Sequence, residues 1–310
     1  MHYTTLGRTG LNVSVMGLGA GGPSQLGRRT GKTEADSVAI IHQALAAGVN
    51  FIDTAEGYGT EELVGRALAS VKRESVIVSS KKSIRADLKP AEVQTSLEGS
   101  LKRLGTDYID IYSLHGVVLA DYDYLYQNIV PALLRLQEQG KIRFIGITEL
   151  FNPDPGHAML QRALADPVWE VMMVGFNMLN QTARQRVLAQ AIAQDIGVQI
   201  MFAVRAAFSR PERLAEIIQD LLDRGELEAD EVDPDNPLGF LSEAGVAANL
   251  TDAAYRFCRY EPGAHVILSG TGNPAHLQAN IESLTRPPLP AATVARLQHI
   301  FRRVESVTGQ

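Results

Sequence analysis

Residues 49–59 read VNFIDTAEGYG, and they are followed by EELVGRALAS at 61–70 and VIVSSK at 76–81. The first and third stretches are short, apolar and rich in β-branched residues, whereas the middle one repeats its apolar residues at helical spacing. Strand, helix and strand in this order form a βαβ unit, whose two strands run parallel because the helix carries the chain back. Repetition of this unit would decide the fold.

The same alternation continues through most of the chain. Eight stretches have the composition of buried strands, at residues 13–20, 49–55, 76–81, 108–115, 142–148, 171–177, 198–204 and 265–270. Stretches with helical apolar spacing lie between them, and several end in glycine, the usual helix terminator. Eight such rounds predict an α/β fold, a closed (β/α)₈ TIM barrel.

An open doubly wound sheet is the competing architecture. It is disfavoured because no GxGxxG motif follows a strand and opens a helix. The nearest match, GLGAGG at 17–22, leads into the polar stretch PSQLGRRTGKT, which has no helical period. The barrel is therefore the preferred prediction.

Two segments depart from a plain barrel, although the whole chain, 1–310, is predicted to be a single domain. YTTLGRTGLNV at 3–13 reads as a short N-terminal hairpin with its turn at Arg8 to Gly10. The stretch from Ser209 to Leu250 is longer than an ordinary connection, so we expect an inserted loop after the seventh strand. This insertion is either a solvated surface loop or a functional element, such as a lid over a cofactor or an oligomer contact.

Composition and charge exclude several classes of partner. The 310 residues are 45% hydrophobic and 21% charged, which is typical of a globular protein. The formal net charge is −6 and the basic residues are scattered, so nucleic acid is not expected as a ligand. The first residues do not resemble a secretory signal, and no apolar run is long enough to span a membrane. The single cysteine, Cys258, permits no internal disulfide and indicates no metal cluster, so a cytoplasmic location without membrane association is expected.

Polar residues end several of the predicted strands. Asp53 ends VNFID, Lys81 ends VIVSSK and His115 ends YIDIYSLH, while Tyr58 follows Asp53 in the loop DTAEGYG. Active residues of such barrels lie at the carboxyl ends of the strands, so these four side chains are expected to converge. We call Asp53, Tyr58, Lys81 and His115 the tetrad.

The tetrad is chemically suited to redox reactions that use nicotinamide. Hydride addition to a carbonyl creates an alkoxide that must be protonated, and a free tyrosine, with a pKa of about 10, is a poor donor near neutral pH. We expect Lys81 to lower the pKa of Tyr58, and Asp53 to keep the buried lysine charged. His115 would then donate a hydrogen bond to the substrate oxygen or assist proton transfer.

Four ordered motifs carry a resemblance to a known family: FIDTAEGYG, YGTEELVGRAL, VIVSSK and SLEGSLKRLGTDYIDIYSLH. The chain resembles the aldo-keto reductases over nearly its whole length. The resemblance implies a (β/α)₈ barrel, a nicotinamide cofactor bound without a Rossmann domain, and catalysis by Asp53, Tyr58, Lys81 and His115. Lys82 is a rival for the lysine position, but the family's strand-ending pattern matches Ser80 and Lys81 better. No metal is implied.

The resemblance also implies where the cofactor, NADP or NAD, would bind. Gly19 and Ala20 match the loop under the nicotinamide. LSGTGNPAHLQANIE at 268–282 resembles the family's last loop and helix start, which hold the adenosine phosphate with the residues here numbered Ser269, Gly270, Thr271, Gly272, Asn273 and Asn280. NADP-preferring relatives carry Lys and Arg where this chain has Asn273 and His276, which tilts the prediction towards NAD or dual use. Arg205, Arg210 or Arg213 could instead supply charge to a 2′-phosphate.

Other positions near the expected nicotinamide depart from the family pattern. Thr148 and Glu149 replace the usual Ser-Asn that contacts the carboxamide, and Met173 replaces a glutamine. FAVRAA at 202–207 replaces Tyr-Ser-Pro-Leu, which leaves Phe202 as the candidate for stacking on the ring. The detailed cofactor geometry is therefore less well predicted than the tetrad.

The resulting hypothesis is an NAD(P)-dependent oxidoreductase that interconverts an alcohol and an aldehyde, ketone or sugar lactone/lactol by direct hydride transfer, with Tyr58 as general acid or base. An alcohol or aldose dehydrogenase is as plausible as a general carbonyl reductase. One alternative is a nicotinamide-binding regulatory subunit that acts through a protein partner, and another is an unrelated metal-dependent barrel. The partner is a small carbonyl or alcohol substrate, with aromatic walls conceivable from Tyr122, Tyr124, Tyr126 and Trp169. An oligomer is possible.

Overall fold

The computed structural model of the chain describes residues 1–233, 236–243 and 245–310. The strands are β1 (Tyr3–Thr5), β2 (Asn12–Ser14), β3 (Met16–Gly19), β4 (Phe51–Asp53), β5 (Ile77–Ser83), β6 (Ile109–Val117), β7 (Ile142–Glu149), β8 (Val171–Gly175), β9 (Gly197–Met201) and β10 (Val266–Ser269). The helices are α1 (Glu34–Ala46), α2 (Glu61–Leu68), α3 (Pro90–Leu104), α4 (Leu119–Asn128), α5 (Val130–Glu138), α6 (Ala158–Ala163), α7 (Ala189–Ala193), α8 (Ala206–Ser209), α9 (Pro211–Asp223), α10 (Leu250–Arg259), α11 (Pro274–Thr285) and α12 (Ala291–Ile300). A π-helical turn at Arg184–Leu188 leads into α7.

Strands β3 to β10 form a closed parallel barrel. They pair in chain order, and β10 pairs with both β9 and β3, which closes the cylinder. The eight-stranded barrel predicted from the sequence is confirmed, and the open-sheet alternative is wrong. Helices surround the barrel and bury the outer faces of its strands.

The N-terminal hairpin covers the amino end of the barrel. β1 and β2 pair antiparallel, and their connection places Leu6 and Val13 against Phe51 and other barrel residues in a separate apolar cluster. Arg8, in the hairpin turn, donates hydrogen bonds to backbone carbonyls that include that of Trp169. This plug confirms the predicted hairpin and leaves the carboxyl end of the barrel as the end open to ligands.

Helix α3 illustrates how the sequence specifies the outer layer. Pro90 occupies the first turn, where its missing N–H leaves no hydrogen bond unmade, and Gly105 ends the helix in a left-handed conformation with φ 64°. Val93, Leu97 and Leu104 lie on one face and are fully buried. Burying each such side chain stabilises the fold by roughly 1.5–3 kcal/mol relative to leaving it exposed.

Two acidic residues of the quoted motifs have structural partners. Asp110, in β6, is buried and accepts hydrogen bonds from Arg73 and Arg143 at 2.7 Å each and from the backbone of Val78 at 2.9 Å. It therefore ties three segments together at the amino side of the barrel. These partners compensate the buried carboxylate, so an acid can stand inside an apolar strand. Removing one of them would leave a desolvated charge without its full set of partners.

Glu61, at the start of α2, plays the same part nearer the carboxyl end. It is buried and accepts hydrogen bonds from Ser80 Oγ at 2.6 Å and from Arg103 Nε at 2.7 Å. The contact fixes α2 against β5 and α3. The TEELVGRAL motif thus serves to position the strand that carries Lys81.

Two details of the sequence analysis need correction. The stretch after the seventh barrel strand begins with helix α9, which buries Leu214, Ile217 and Leu221 on one face, so its first part is not a loop. The same stretch also contains positions 234, 235 and 244, which lie outside the described residues. Trp169 is fully buried before β8 and donates to Tyr122 Oη at 2.8 Å, so neither aromatic walls a ligand site.

Among the described helices, none has the length and apolarity needed to cross a membrane.

Candidate functional site

The tetrad assembles at the carboxyl ends of three neighbouring strands. Asp53 ends β4, Lys81 lies in β5, and His115 lies near the end of β6. Tyr58 closes a single 3₁₀ turn after β4, and Gly59 follows it with φ 67°, a conformation that favours glycine. The strand-loop-helix pattern of the sequence thus brings the four side chains to one place.

Lys81 is the buried centre of the tetrad. Its side chain is 0% exposed, and its ammonium donates to Asp53 Oδ2 at 2.6 Å and to the carbonyl of Thr54 at 2.7 Å. Asp53 Oδ1 accepts a further bond from Ser79 Oγ at 2.9 Å. Lys82 points the other way and pairs with Glu56. The geometry therefore joins Lys81, and not its neighbour, to the other members of the tetrad.

Tyr58 lies between Lys81 and His115. Its hydroxyl is 3.2 Å from Nε2 of His115, and the Lys81 ammonium is 5.0 Å from the centre of its ring. Gly21, in the loop after β3, packs directly on the ring, where an added Cβ would lie only 2.5 Å from the nearest ring atom. The close approach explains why a glycine is needed there, which the sequence did not reveal.

The buried setting fixes the protonation states of the tetrad. Burial, aided by the charge of Asp53, raises the pKa of Tyr58 more than Lys81 lowers it, so the expected net lowering is wrong for the protein alone. Burial alone would lower the pKa of Lys81, but Asp53 and Tyr58 outweigh it and raise that pKa. Burial, with Lys81, lowers the pKa of His115 to about 3. At neutral pH the site therefore holds a neutral tyrosine, a lysine cation and a neutral histidine.

A cleft of about 530 Å³ opens beside Tyr58 and Asp53. Its walls come from the loops after β3, β9 and β10 and from helices α10 and α11. Of the residues predicted from the sequence, it is lined by Gly19, Asp53, Tyr58, Phe202, Ser269, Gly270, Thr271, His276 and Asn280. We call this space the cleft. Its volume is within the range of small-molecule sites.

The end of the cleft formed by β10 and α11 fits the phosphates and adenosine of a dinucleotide. Gly270 lies so close to the loop after β3 that a Cβ there would be 2.7 Å from the carbonyl oxygen of Gly19. Helix α11 begins just beyond, with Asn273 as its capping residue. A bare backbone followed by a helix N-terminus is the arrangement that binds phosphate groups in many folds. No Lys or Arg is among the described residues that line the cleft.

At this end of the cleft, the structure adds one residue that the sequence analysis did not predict and shows that three predicted residues do not line the cleft. Tyr255 Oη and Asn280 Nδ2 both reach Ser269 Oγ at 2.9 Å, and Tyr255 lines the cleft from α10. Its position in the apolar helical stretch LTDAAYRFCRY gave no signal of this contact. Gly272 and Asn273 do not line the cleft, and neither does Ala20, whose N–H donates to the carbonyl of Asp53 at 2.7 Å.

The two residues expected to contact the carboxamide are not brought into the cleft. Thr148 Oγ1 accepts the backbone N–H of Gly116 at 2.7 Å. Glu149 is turned away, accepts the N–H of Gly175 at 2.7 Å, and lies 2.9 Å from Nδ1 of His157. Burial raises the pKa of Glu149, with His157 opposing the rise. Both residues are satisfied within the protein.

Phe202 is the aromatic side chain at this end of the cleft. It follows β9 with φ 66°, its side chain is 37% exposed, and it lines the cleft together with Met173 and Met201. Its ring lies parallel to Phe151 at a centroid distance of 6.3 Å. This part of the cleft wall is therefore apolar.

Comparison with known proteins gives a consistent result. The sequence matches the aldo/keto reductase family over residues 15–302. It is 39% identical over 159 residues to the L-galactose dehydrogenase of Arabidopsis thaliana, a match that spans 48% of this chain and 49% of that protein. The chain thus aligns with about half the length of this curated relative.

Solved structures share the fold. An aldo-keto reductase of Bacillus halodurans, in its holo form, superposes with a TM-score of 0.73 at 21% identity, covering 99% of this chain and 98% of that one. A thermostable aldo-keto reductase in complex with the inhibitor epalrestat gives 0.72 at 23% identity, covering 97% and 100%. At these identities the likeness concerns the barrel.

Proposed function

Because the chain belongs to the aldo/keto reductase family, and is therefore an oxidoreductase as predicted, we propose that it interconverts an alcohol and a carbonyl with NAD or NADP, using Tyr58 as the acid or base. The observation that supports this most strongly is the placement of Tyr58 on the wall of the cleft, with Nε2 of His115 3.2 Å from its hydroxyl and the Lys81–Asp53 ion pair next to its ring. The comparisons do not favour the alternative of a purely regulatory subunit.

A nicotinamide held in the cleft, beside Tyr58 and Phe202, would supply or accept the hydride. Tyr58 holds the proton, because its pKa is raised in the free protein and the phenol is the resting form. As a substrate carbonyl gains negative charge, Tyr58 Oη donates its proton to that oxygen, and the nearby Lys81 cation stabilises the phenolate left behind. In the oxidative direction Tyr58 must first lose its proton; its phenolate, stabilised by the Lys81 cation, then accepts the proton of the alcohol.

His115 positions the substrate oxygen. Its Nε2 lies 3.2 Å from Tyr58 Oη, so the two groups face the same point, and its low pKa keeps the ring neutral. A neutral imidazole can donate one hydrogen bond to the substrate without competing with Tyr58 for the proton. Asp53 acts through Lys81, which it holds in place and keeps charged.

We infer that the substrate is a sugar or a related polyol, oxidised as a lactol or alcohol. The support is the similarity to an L-galactose dehydrogenase, which covers about half of each chain. We also infer a preference for NAD over NADP. The described residues that line the cleft include no Lys or Arg, and His276 stands on α11 where a fixed cation would serve a 2′-phosphate.

Reduction of NAD⁺ or NADP⁺ by a panel of aldoses and polyols, beginning with L-galactose, tests the proposal. Tyr58→Phe should lower kcat by about 10³-fold because general acid-base catalysis is lost, while the Kd for NADH stays within about twofold. The matched control is Tyr255→Phe, which removes a hydroxyl bonded to Ser269 at the other end of the cleft. It should weaken NADH binding and leave kcat at saturating cofactor unchanged. Full activity in Tyr58→Phe would contradict the assigned role.

A further inference from the structure

Arg205 is a buried cation that has no acidic partner among the described residues. It follows β9 and immediately precedes α8, and its residue is 9% exposed. Its guanidinium donates to Asn152 Oδ1 and to Gln310 Oε1, both at 2.9 Å and both neutral amide oxygens. It makes no salt bridge with any carboxylate in the described part of the chain. Burial lowers the pKa of Arg205 to about 10, so the side chain is still a cation at neutral pH.

The cation lies against the ring of Phe202. The guanidinium carbon is 3.8 Å from the ring centre, a close cation–π contact. Phe151 is parallel to the same ring, and His157 stacks on Phe151 at 5.2 Å. Arg205 and Phe151 therefore hold Phe202 in place, and Phe202 remains partly exposed and borders the cleft.

Because the Arg205 guanidinium covers one face of the Phe202 ring, a second ring that stacks on Phe202 from the cleft is expected on the opposite face. The charge of the guanidinium would then be separated from that ring by one layer of aromatic atoms, at about 7 Å. Oxidised nicotinamide carries a positive charge, whereas reduced nicotinamide is neutral. A fixed cation at this distance, in a partly desolvated site, therefore repels one redox form and not the other.

We propose that Arg205, held behind Phe202, makes the cleft bind reduced nicotinamide in preference to oxidised nicotinamide. The inference rests on the proposed function, because it assumes that a nicotinamide occupies the cleft. Its thermodynamic consequence is a bound equilibrium shifted towards the reduced cofactor, that is, towards oxidation of the alcohol. Such a bias suits a dehydrogenase acting on sugars.

The decisive quantity is the ratio of the Kd for NAD⁺ to the Kd for NADH. NADH binding is followed by cofactor fluorescence, and NAD⁺ binding by displacement of NADH. In Arg205→Gln the ratio should fall by about three- to tenfold, because the repulsion of the oxidised form is removed. Equal weakening of both forms, with an unchanged ratio, would show that Arg205 only supports the structure and would overturn the proposal.

A second variant tests the charge without removing the arginine. Asn152 is exposed and accepts a hydrogen bond from Arg205, so Asn152→Asp places a carboxylate on the guanidinium with little change of shape. The ratio should fall in this variant too, by a smaller factor because water screens the new charge. An unchanged ratio in a folded Asn152→Asp protein would also contradict the proposal.

Arg213→Gln is the matched control. Arg213 is a partly exposed arginine on α9 that also contacts Gln310, and its loss changes the net charge by the same amount as Arg205→Gln. In Arg213→Gln the ratio of the Kd for NAD⁺ to the Kd for NADH should equal that of the unmodified protein. A fall as large as in Arg205→Gln would mean that the loss of any positive charge has this effect, and would contradict the proposal. If the unmodified protein binds neither NADH nor NAD⁺, the proposed function itself fails. Binding of both with no effect of Arg205→Gln overturns this inference alone.

Discussion

The two sides of the cleft differ in how their polar groups are used. On the Tyr58 side, Lys81 and Asp53 are joined by short bonds between neighbouring strands, and little freedom remains. On the Phe202 side, the side chains of Thr148 and Glu149 accept hydrogen bonds from backbone N–H groups inside the protein, and the wall facing the cleft is apolar. Moving a proton requires particular groups at particular distances, whereas a flat ring can be held by any suitable surface. The first side is therefore chemically constrained and the second is free to vary.

If this contrast is correct, removing a charge from the Tyr58 side should strongly lower both stability and activity. Lys81→Met leaves Asp53 buried without its cation, so we expect a loss of about 3–5 kcal/mol in the free energy of unfolding and loss of turnover. Lys82→Met is the matched control. Its ammonium also pairs with a carboxylate, Glu56, but both side chains are partly exposed. We expect about 1 kcal/mol there, measured for both variants by urea denaturation. Equal losses would remove the distinction between the two lysines.

The buried histidine on the same side should make stability depend on pH. The pKa of His115 is about 3 in the folded protein and about 6.5 when unfolded, so below pH 6.5 only the unfolded state gains the proton. Stability is therefore full above pH 6.5 and declines as the pH falls towards 3. Between about pH 7.5 and pH 5 the unmodified protein should lose about 2 kcal/mol more than His115→Asn, as followed by denaturant titration. Parallel losses in the two proteins would contradict the assigned burial.

A substitution at the β10–α11 end of the cleft should have a smaller effect, because His276 is exposed and makes no buried ion pair. His276→Arg places a fixed cation on the wall of the cleft and should shift the NADPH to NADH affinity ratio by about tenfold, or 1.4 kcal/mol, towards NADPH. Gln278→Arg, on the same helix but not lining the cleft, should shift it far less. Cofactor fluorescence titrations measure both ratios. Equal shifts would mean that the adenosine does not lie beside His276.

The sequence predicted the Tyr58 side well for a physical reason. Asp53, Lys81 and His115 each end an apolar strand, and a closed parallel barrel brings such ends together. The same pattern predicted all eight strands and the hairpin plug. Strand alternation also explains why Lys81 and Lys82 point in opposite directions.

The sequence predicted the other side less well because it depends on loops and long-range contacts. Nothing in the local pattern of Glu149 shows that its carboxylate faces His157 and the backbone of Gly175. The contact of Arg205 with Phe202 likewise depends on the left-handed turn after β9. The net upward shift in the pKa of Tyr58 depends on how deeply the ring is buried, which spacing alone does not reveal.

The central claim is that a nicotinamide dinucleotide binds in the cleft beside Tyr58. Ala279, an exposed residue of α11, lines the cleft, whereas its exposed neighbour Gln278 does not. Calorimetric titration of NADH and NADPH into the unmodified protein, Ala279→Trp and Gln278→Trp tests the claim most directly. We predict saturable binding to the unmodified protein and to Gln278→Trp, and strongly weakened binding to Ala279→Trp, whose indole would fill the cleft. Binding that is absent from all three proteins, or equal in all three, would contradict the account.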